Sequence, residues 1–338
     1  MTMLRVAVLG YGYWGPNLVR NLQKFPDCQV AVVADMDRRR LDMVVRNYPA
    51  VEVTQDALTV LSRTDIDAVA VATPPRTHYE LARKGLEEGK HVLVEKPLAG
   101  NSRDASDLVE LADKNKLSLM VDHTFVYSGP VRTIRELIKG GELGELWYVD
   151  SVRINLGAFQ NDVNVVWDLA PHDLSIVDYI VDATPRTVSA TGISHVSYGA
   201  EAADLAYVTL RFDTDLLVHF HFSWLSPVKM RKMLIGGSKK LLEYDHLEAD
   251  HQVKVYDKGV EFNIEGGRRR LLSERREGDM YAPKVDQTEP LELMCRDFID
   301  SIKLKRTPLA DGRQGLKVVR VIEAAVQSML RGGVPIPL

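Results

Sequence analysis

Three side chains in this sequence have the type and setting to take a proton from an alcohol: Lys96, Asp168 and His172. Lys96 stands in Glu95-Lys96-Pro97, directly after an apolar run, His91 to Val94, that reads as a buried strand. Open α/β sheets bind ligands at the carboxyl ends of their strands. A lysine there can donate a hydrogen bond to a substrate oxygen and tune a proton transfer, while Pro97 biases it toward extended backbone. Asp168 and His172 are four residues apart at the start of a helical pattern, so their side chains share a face. Pro171 fits if this is the first helical turn, where backbone N–H groups lack intrahelical partners. A histidine near its ordinary pKa can accept a hydroxyl proton as hydride leaves the carbon, with Asp168 orienting the ring or binding a hydroxyl. The plainer account makes Asp168 a helix N-cap and His172 a satisfied, half-buried histidine. Spacing alone leaves both accounts open. One Asp and one His make half a ligand set, so no metal is expected.

A hydride needs an acceptor, and the amino-terminal segment carries the signature of one. Gly10-Tyr11-Gly12-Tyr13-Trp14-Gly15 has G-x-G-x-x-G spacing after a predicted strand and at the opening of a predicted helix. Gly10 permits the tight turn, Gly12 lets backbone approach a pyrophosphate, and Gly15 allows helix and strand to pack closely. The helix N-terminus adds free N–H groups and a favourable dipole. Asp35 ends the next strand, twenty residues beyond Gly15, where a carboxylate can accept from an adenosine ribose. That position favours NAD over NADP, although Arg38, Arg39 and Arg40 follow closely and one of them can turn toward a 2′-phosphate.

The elements that must position these residues follow from periodicity. Strands are predicted over 4–9, 29–34, 51–53, 66–72, 91–94 and 117–121, with helices over 15–25, 38–48, 77–88 and 103–115 between them. This alternation predicts βαβ units and a parallel sheet, covered on both faces because its strands are continuous apolar runs. After His123 the pattern changes, to a helix over 131–139, a long strand over 146–156 and a helix over 169–181. Strict alternation over 206–212 and 218–224, with a turn at 213–215, predicts antiparallel pairing and makes His219 and His221 polar sheet surface. Helices over 290–303 and 315–330 close the chain and are expected to return to brace both domains. The fold class is therefore α/β: a parallel dinucleotide-binding sheet in domain 1–123, then an α/β domain, 124–338, with a mainly antiparallel sheet.

Composition narrows the partners. The 338 residues are 45% hydrophobic and 27% charged, as in globular proteins. A formal charge of −4 supplies no excess of cations for nucleic acid. The apolar run Val6 to Leu9 stops at Gly10, and no stretch approaches the roughly 18 apolar residues of a membrane span. Cys28 and Cys295 form no disulfide framework. A cytoplasmic enzyme acting on a small molecule, with no nucleic-acid or membrane partner, is expected. Arg268-Arg269-Arg270 reads as a solvated charge run.

Taken together, the glycine turn, Thr73-Pro74-Pro75 with His78, the block from Gly89 to Pro97, and Asp168-x-x-x-His172 resemble the Gfo/Idh/MocA family of sugar oxidoreductases over essentially the whole chain. The resemblance implies a Rossmann domain followed by an α/β domain whose open sheet serves homodimer or homotetramer assembly. It implies that Lys96 and His172 flank the reacting carbon, with Asp168 in the same pocket. Thr73, Pro74 and His78, with Tyr13, Trp14, Arg38 and Glu95, fall to the cofactor side. The segment 155–173 resembles members that oxidise the C3 hydroxyl of a UDP-linked N-acetylated hexosamine or its uronic acid. In that likeness Arg153, Asn155 and Gln160 reach sugar hydroxyl or acetamido groups, and Tyr281 and Lys284 meet the diphosphate. A dehydrogenase of free polyols such as inositol, a ketoreductase, and a non-catalytic NAD-sensing regulator are the alternatives; the last has little use for both Lys96 and His172.

Overall fold

The computed structural model describes residues 3–157, 163–196, 202–265 and 268–338. Valine, alanine and leucine runs fill its first strands. These are β1 (Leu4–Leu9), β2 (Cys28–Ala34), β3 (Glu52–Thr54), β4 (Ala68–Val71), β5 (His91–Val94) and β6 (Leu119–Val121). Between them lie α1 (Gly15–Leu22), α2 (Arg38–Asn47), α3 (Ala57–Leu61), α4 (His78–Glu87) and α5 (Ser102–Asn115). Every pairing in this six-stranded sheet is parallel and the strand order is β3-β2-β1-β4-β5-β6, the order of a dinucleotide-binding sheet. Nearly every residue of β1, β2, β4 and β5 is buried, which is why they show no polar alternation.

Further along come α6 (Gly129–Lys139), β7 (Leu146–Leu156), α7 (Val165–Val181), β8 (Thr187–Ile193), β9 (Leu205–Arg211) and β10 (Leu217–Ser223). Then follow β11 (Leu225–Gly237), β12 (Leu241–Asp245), β13 (Val253–Tyr256), β14 (Gly259–Glu265), β15 (Arg268–Arg276) and β16 (Met280–Tyr281). The chain closes with α8 (Pro290–Lys303), α9 (Gly312–Leu330) and β17 (Ile336–Pro337). Chain contacts divide it into a first unit, residues 1–128 with 288–320, and a second, residues 129–287 with 321–338.

The first unit thus takes back α8. Leu291, Met294, Cys295, Phe298 and Ile299 of this helix are buried. Its ends are held by ions: Glu289 against Arg20 (2.5 Å) and Lys24 (3.0 Å), and Asp27 against Arg296 (2.9 Å) and Lys303 (2.8 Å).

The second unit is built on a nine-stranded sheet of order β16-β13-β12-β11-β7-β10-β9-β8-β17, antiparallel except where β10 pairs with β7. The predicted pairing of β9 with β10 is antiparallel in register, His221 opposite Tyr207. Val218, Phe220 and Phe222 are buried and their neighbours His219 and His221 half-buried, as the alternation requires. β14 and β15, which carries Arg268 to Arg270, form a separate ribbon.

One boundary needs correction. α7 begins at Val165, not near Leu169, because Asn164 caps it by accepting from the N–H groups of Val166 and Trp167. Pro171 therefore lies inside the helix rather than in its first turn.

Candidate active site

At the end of β1 the chain turns through Gly10, whose φ of +97° lies in the region that side chains disfavour. A Cβ there would come 2.5 Å from the Ala72 carbonyl oxygen. One at Gly15 would come 2.2 Å from the Gly10 oxygen, so α1 starts hard against the turn. Gly12 differs: a Cβ would meet only Arg40, Nη1 at 3.5 Å and Cζ at 4.0 Å. The open space at Gly12 is where a phosphate has room. α1 begins with no side-chain cap at Trp14 and with Pro16 in its first turn, leaving its N-terminal dipole to an anion. The residues present fit a dinucleotide.

Asp35 is buried and its carboxylate accepts from the N–H groups of Tyr11 (2.6 Å) and Asp37 (2.8 Å). Of the three arginines, Arg40 reaches it, at 3.3 Å. Arg38 pairs with Asp42 at 3.3 Å and Arg39 with Asp37 at 2.9 Å. Sequence reasoning singled out Arg38; Arg40 is the arginine beside both Asp35 and Gly12. Tyr13 is 89% exposed, its ring 5.7 Å from that of Trp14.

Lys96 follows β5 on a turn whose next peptide bond is cis. Glu95 and Asp122, from the ends of β5 and β6, are both buried. Burial, with the charge of Asp122 beside it, holds the Glu95 carboxyl well above the usual carboxylate range. His123 is buried as well; its surroundings, and then the charge of Lys96, push its pKa down to about 4. Asp122 and His123 were missed as functional candidates because the sequence marks them only as the close of a strand. Thr73 and Pro74 follow β4. His78 is fully buried, its ring between the carbonyls of Pro97 (2.7 Å) and Thr73 (2.8 Å).

In the second unit, Asp168 and His172 lie one turn apart on α7. Asp168 Oδ2 accepts from Trp224 Nε1 at 3.0 Å, and Ser175 Oγ donates to the His172 carbonyl at 2.7 Å. Trp224 is a third residue that sequence reasoning missed; its signal is a tryptophan closing an otherwise alternating stretch, 218–224. Arg153 on β7 donates twice to Asp173, each bond 2.8 Å, with both side chains under 5% exposed. Asn155 is half-buried near the end of β7. Tyr281 donates to Glu142 at 3.0 Å, and Lys284 is exposed. Gln160 lies outside the described residues.

A separate crevice of about 520 Å³ lies in the first unit where β5 and β6 begin, lined by His91, Lys116, Ser118, Lys305 and Arg313 among others. It contains none of the expected site residues. Among the described residues no group of three or more His, Cys, Asp or Glu side chains could hold a metal ion. No helix among them is long and apolar enough to cross a membrane.

The oxidoreductase family model for an NAD-binding Rossmann fold matches residues 4–123, and the family's C-terminal α/β domain model matches residues 135–338. The chain is 25% identical to UDP-N-acetylglucosamine 3-dehydrogenase of Acidithiobacillus ferrooxidans, over 98% of its own length and 100% of the relative's. It is 23% identical to a scyllo-inositol 2-dehydrogenase (NADP(+)) of Bacillus subtilis, over 96% and 93%. In fold it is similar to the WlbA dehydrogenase of Bordetella pertussis, solved with NADH and UDP-GlcNAcA, with a TM-score of 0.82 at 18% identity, covering 100% of this chain and 98% of that one. With a glycine cradle, a strand-end carboxylate and both domain models matched, the chain belongs to the Gfo/Idh/MocA oxidoreductase family, with an NAD-binding Rossmann domain and a C-terminal α/β domain.

Proposed function

We propose that the protein is an NAD-dependent dehydrogenase that oxidises a ring hydroxyl, at C3, of a nucleotide sugar such as UDP-N-acetylglucosamine or its uronic acid, for amino-sugar or polysaccharide biosynthesis. The observation that carries the reading is the Asp168–His172 pair on one face of α7, its carboxylate anchored by Trp224. Similarity to the Acidithiobacillus enzyme over nearly the whole of both chains supports the choice of substrate.

His172 removes the hydroxyl proton, and Lys96 donates a hydrogen bond to the same oxygen as it becomes a carbonyl. Bound NAD supplies the hydride acceptor. Alcohol and NAD+ thus give ketone, NADH and a proton. Asp168 orients the reacting hydroxyl or the imidazole. Asn155 and Gln160 bind the sugar, and Tyr281 and Lys284 the diphosphate. We assign Arg153, tied twice to Asp173, to holding α7 on β7 rather than to reaching the sugar.

The Bacillus inositol dehydrogenase supports a second reading, oxidation of a free polyol. Purified protein incubated with NAD and either nucleotide sugar should form NADH, and Lys96→Met should abolish turnover while NAD still binds. Turnover confined to free polyols selects the second reading. NAD binding without turnover on either class makes the protein a sensor.

We also propose a homodimer or homotetramer formed on the sheet face that carries His219, His221 and Tyr207. Tyr207 is 39% exposed and stacks 4.6 Å from His221. Light scattering that finds a monomer rejects this assembly.

A further inference from the structure

His78 opens α4 with its ring fully buried, and each ring nitrogen faces a backbone carbonyl. Nδ1 lies 2.7 Å from the Pro97 oxygen and Nε2 lies 2.8 Å from the Thr73 oxygen. The two carbonyls belong to different loops. Thr73 follows β4; Pro97 follows Lys96. On the Thr73 side the chain is tied further, because Thr77 Oγ1 lies 2.8 Å from both Thr73 Oγ1 and the Pro74 oxygen. The same stretch abuts the glycine turn, since a Cβ on Gly10 would stand 2.5 Å from the Ala72 oxygen and 3.0 Å from Thr73 N. A continuous line of contacts therefore runs from the phosphate cradle, through residues 72 and 73, across one imidazole, to the peptide beside Lys96.

We propose that His78 is a positioning residue: it fixes the Lys96–Pro97 turn at a set distance from the Thr73–Pro74 loop, and through that loop from the glycine turn that seats the cofactor. His78 thus acts through Lys96 rather than by touching the dinucleotide. The imidazole suits the task because it is rigid and has a nitrogen at either side. Its chemistry also sets a condition. A neutral ring carries one N–H, so one of the two carbonyls faces a lone pair, and only the doubly protonated ring donates to both. Burial and the charge of Lys96 oppose that second proton, while the two carbonyls favour it. The ring's proton count is thereby coupled to the lysine it positions.

The kinetic part of the test rests on the dehydrogenase reading; the spectroscopic part does not. In full-length protein labelled with 15N at histidine, NMR follows His78 across pH in the wild type and in Lys96→Met. Removing the lysine charge should raise the pH at which His78 takes its second proton; an unmoved midpoint overturns the proposal. In His78→Gln the amide can donate to one carbonyl but presents its oxygen to the other. With NAD and UDP-N-acetylglucosamine, kcat should fall about 100-fold, the loss expected from displacing a reacting group by an ångström. NADH affinity, read by fluorescence, and the sugar KM should stay near wild type, as for an interaction made only in the transition state. A lower melting temperature with kcat intact would reduce His78 to packing, and weaker NADH binding with kcat intact would reduce it to a cofactor-loop residue; either overturns the proposal. If His78→Gln does not fold, the NMR comparison decides alone. A wild type that turns over no sugar defeats the dehydrogenase reading and leaves the NMR test in force.

Discussion

Replacing Gly12 by alanine separates binding from folding. Gly12 has no left-handed φ, and its added methyl would touch only the end of the flexible Arg40 side chain, at ordinary van der Waals distance. The folded chain has room for it. A Gly→Ala change at such a position stabilises by about 0.4–1 kcal/mol through the unfolded state, which raises the melting temperature of a domain this size by roughly 1–4 °C. If phosphates occupy that open side, the methyl lies between them and the backbone. Losing one charge-assisted hydrogen bond costs about 1.5–3 kcal/mol, so the Kd for NADH should rise about 10- to 100-fold. Gly15→Ala is the contrast. Its Cβ would meet the Gly10 carbonyl oxygen at 2.2 Å, and nothing flexible is there to yield. Overpacking of this kind costs about 1–3 kcal/mol or more, so this variant should lose stability as well as NADH affinity. Fluorescence titration with NADH and thermal melts of both proteins make the comparison. A Gly12→Ala protein that melts early yet binds NADH normally would refute the placement of the phosphates.

Two more outcomes follow from the buried groups. Trp224→Phe keeps an aromatic ring but removes the donor to Asp168; at about 1.5 kcal/mol for a bond to a charged group, kcat should fall about tenfold, beside a lower melting temperature from the smaller buried ring, and an unchanged kcat would show that Asp168 needs no anchor. His123 has a folded-state pKa of about 4, below its ordinary 6.5, so the unfolded chain binds the extra proton more readily. Its contribution to stability is complete above about pH 6.5 and is lost as pH falls toward 4, by about 3 kcal/mol. Urea unfolding at stepped pH should show this slope in the wild type and lose it in His123→Leu; parallel curves would contradict the burial argument.

The parallel sheet was legible because strands covered on both faces must be largely apolar, and β1, β2, β4 and β5 carry polar residues only at their leading ends, Arg5, Gln29 and His91. The glycine turn was legible because it stands between a strand and a helix. The start of α7 was not. Val165-Val166-Trp167 has no helical periodicity of its own, and Pro171 draws a first turn toward itself, whereas the cap comes from Asn164. The choice among Arg38, Arg39 and Arg40 depends on helix rotation: Arg38 meets Asp42 one turn on, and Arg40 turns back to Asp35. The closing helices were expected to return as braces, but the polar contacts that hold α8 join residues 265 or more positions apart, and no local window contains those partners. The bond from Trp224 to Asp168 spans 56 positions and is equally invisible to spacing.

The interleaving of the two units has a bearing on how the chain is made. A fragment ending at residue 123 would contain every strand of the parallel sheet, yet it would leave bare the apolar surface that Leu291, Met294, Phe298 and Ile299 cover. It would also leave Asp27 without Arg296 and Lys303. On the ribosome, the nucleotide-binding unit must wait for the 159 residues from 129 to 287 before α8 emerges. An independently stable version of this unit calls for splicing 288–320 directly after 128, not for cutting the gene short.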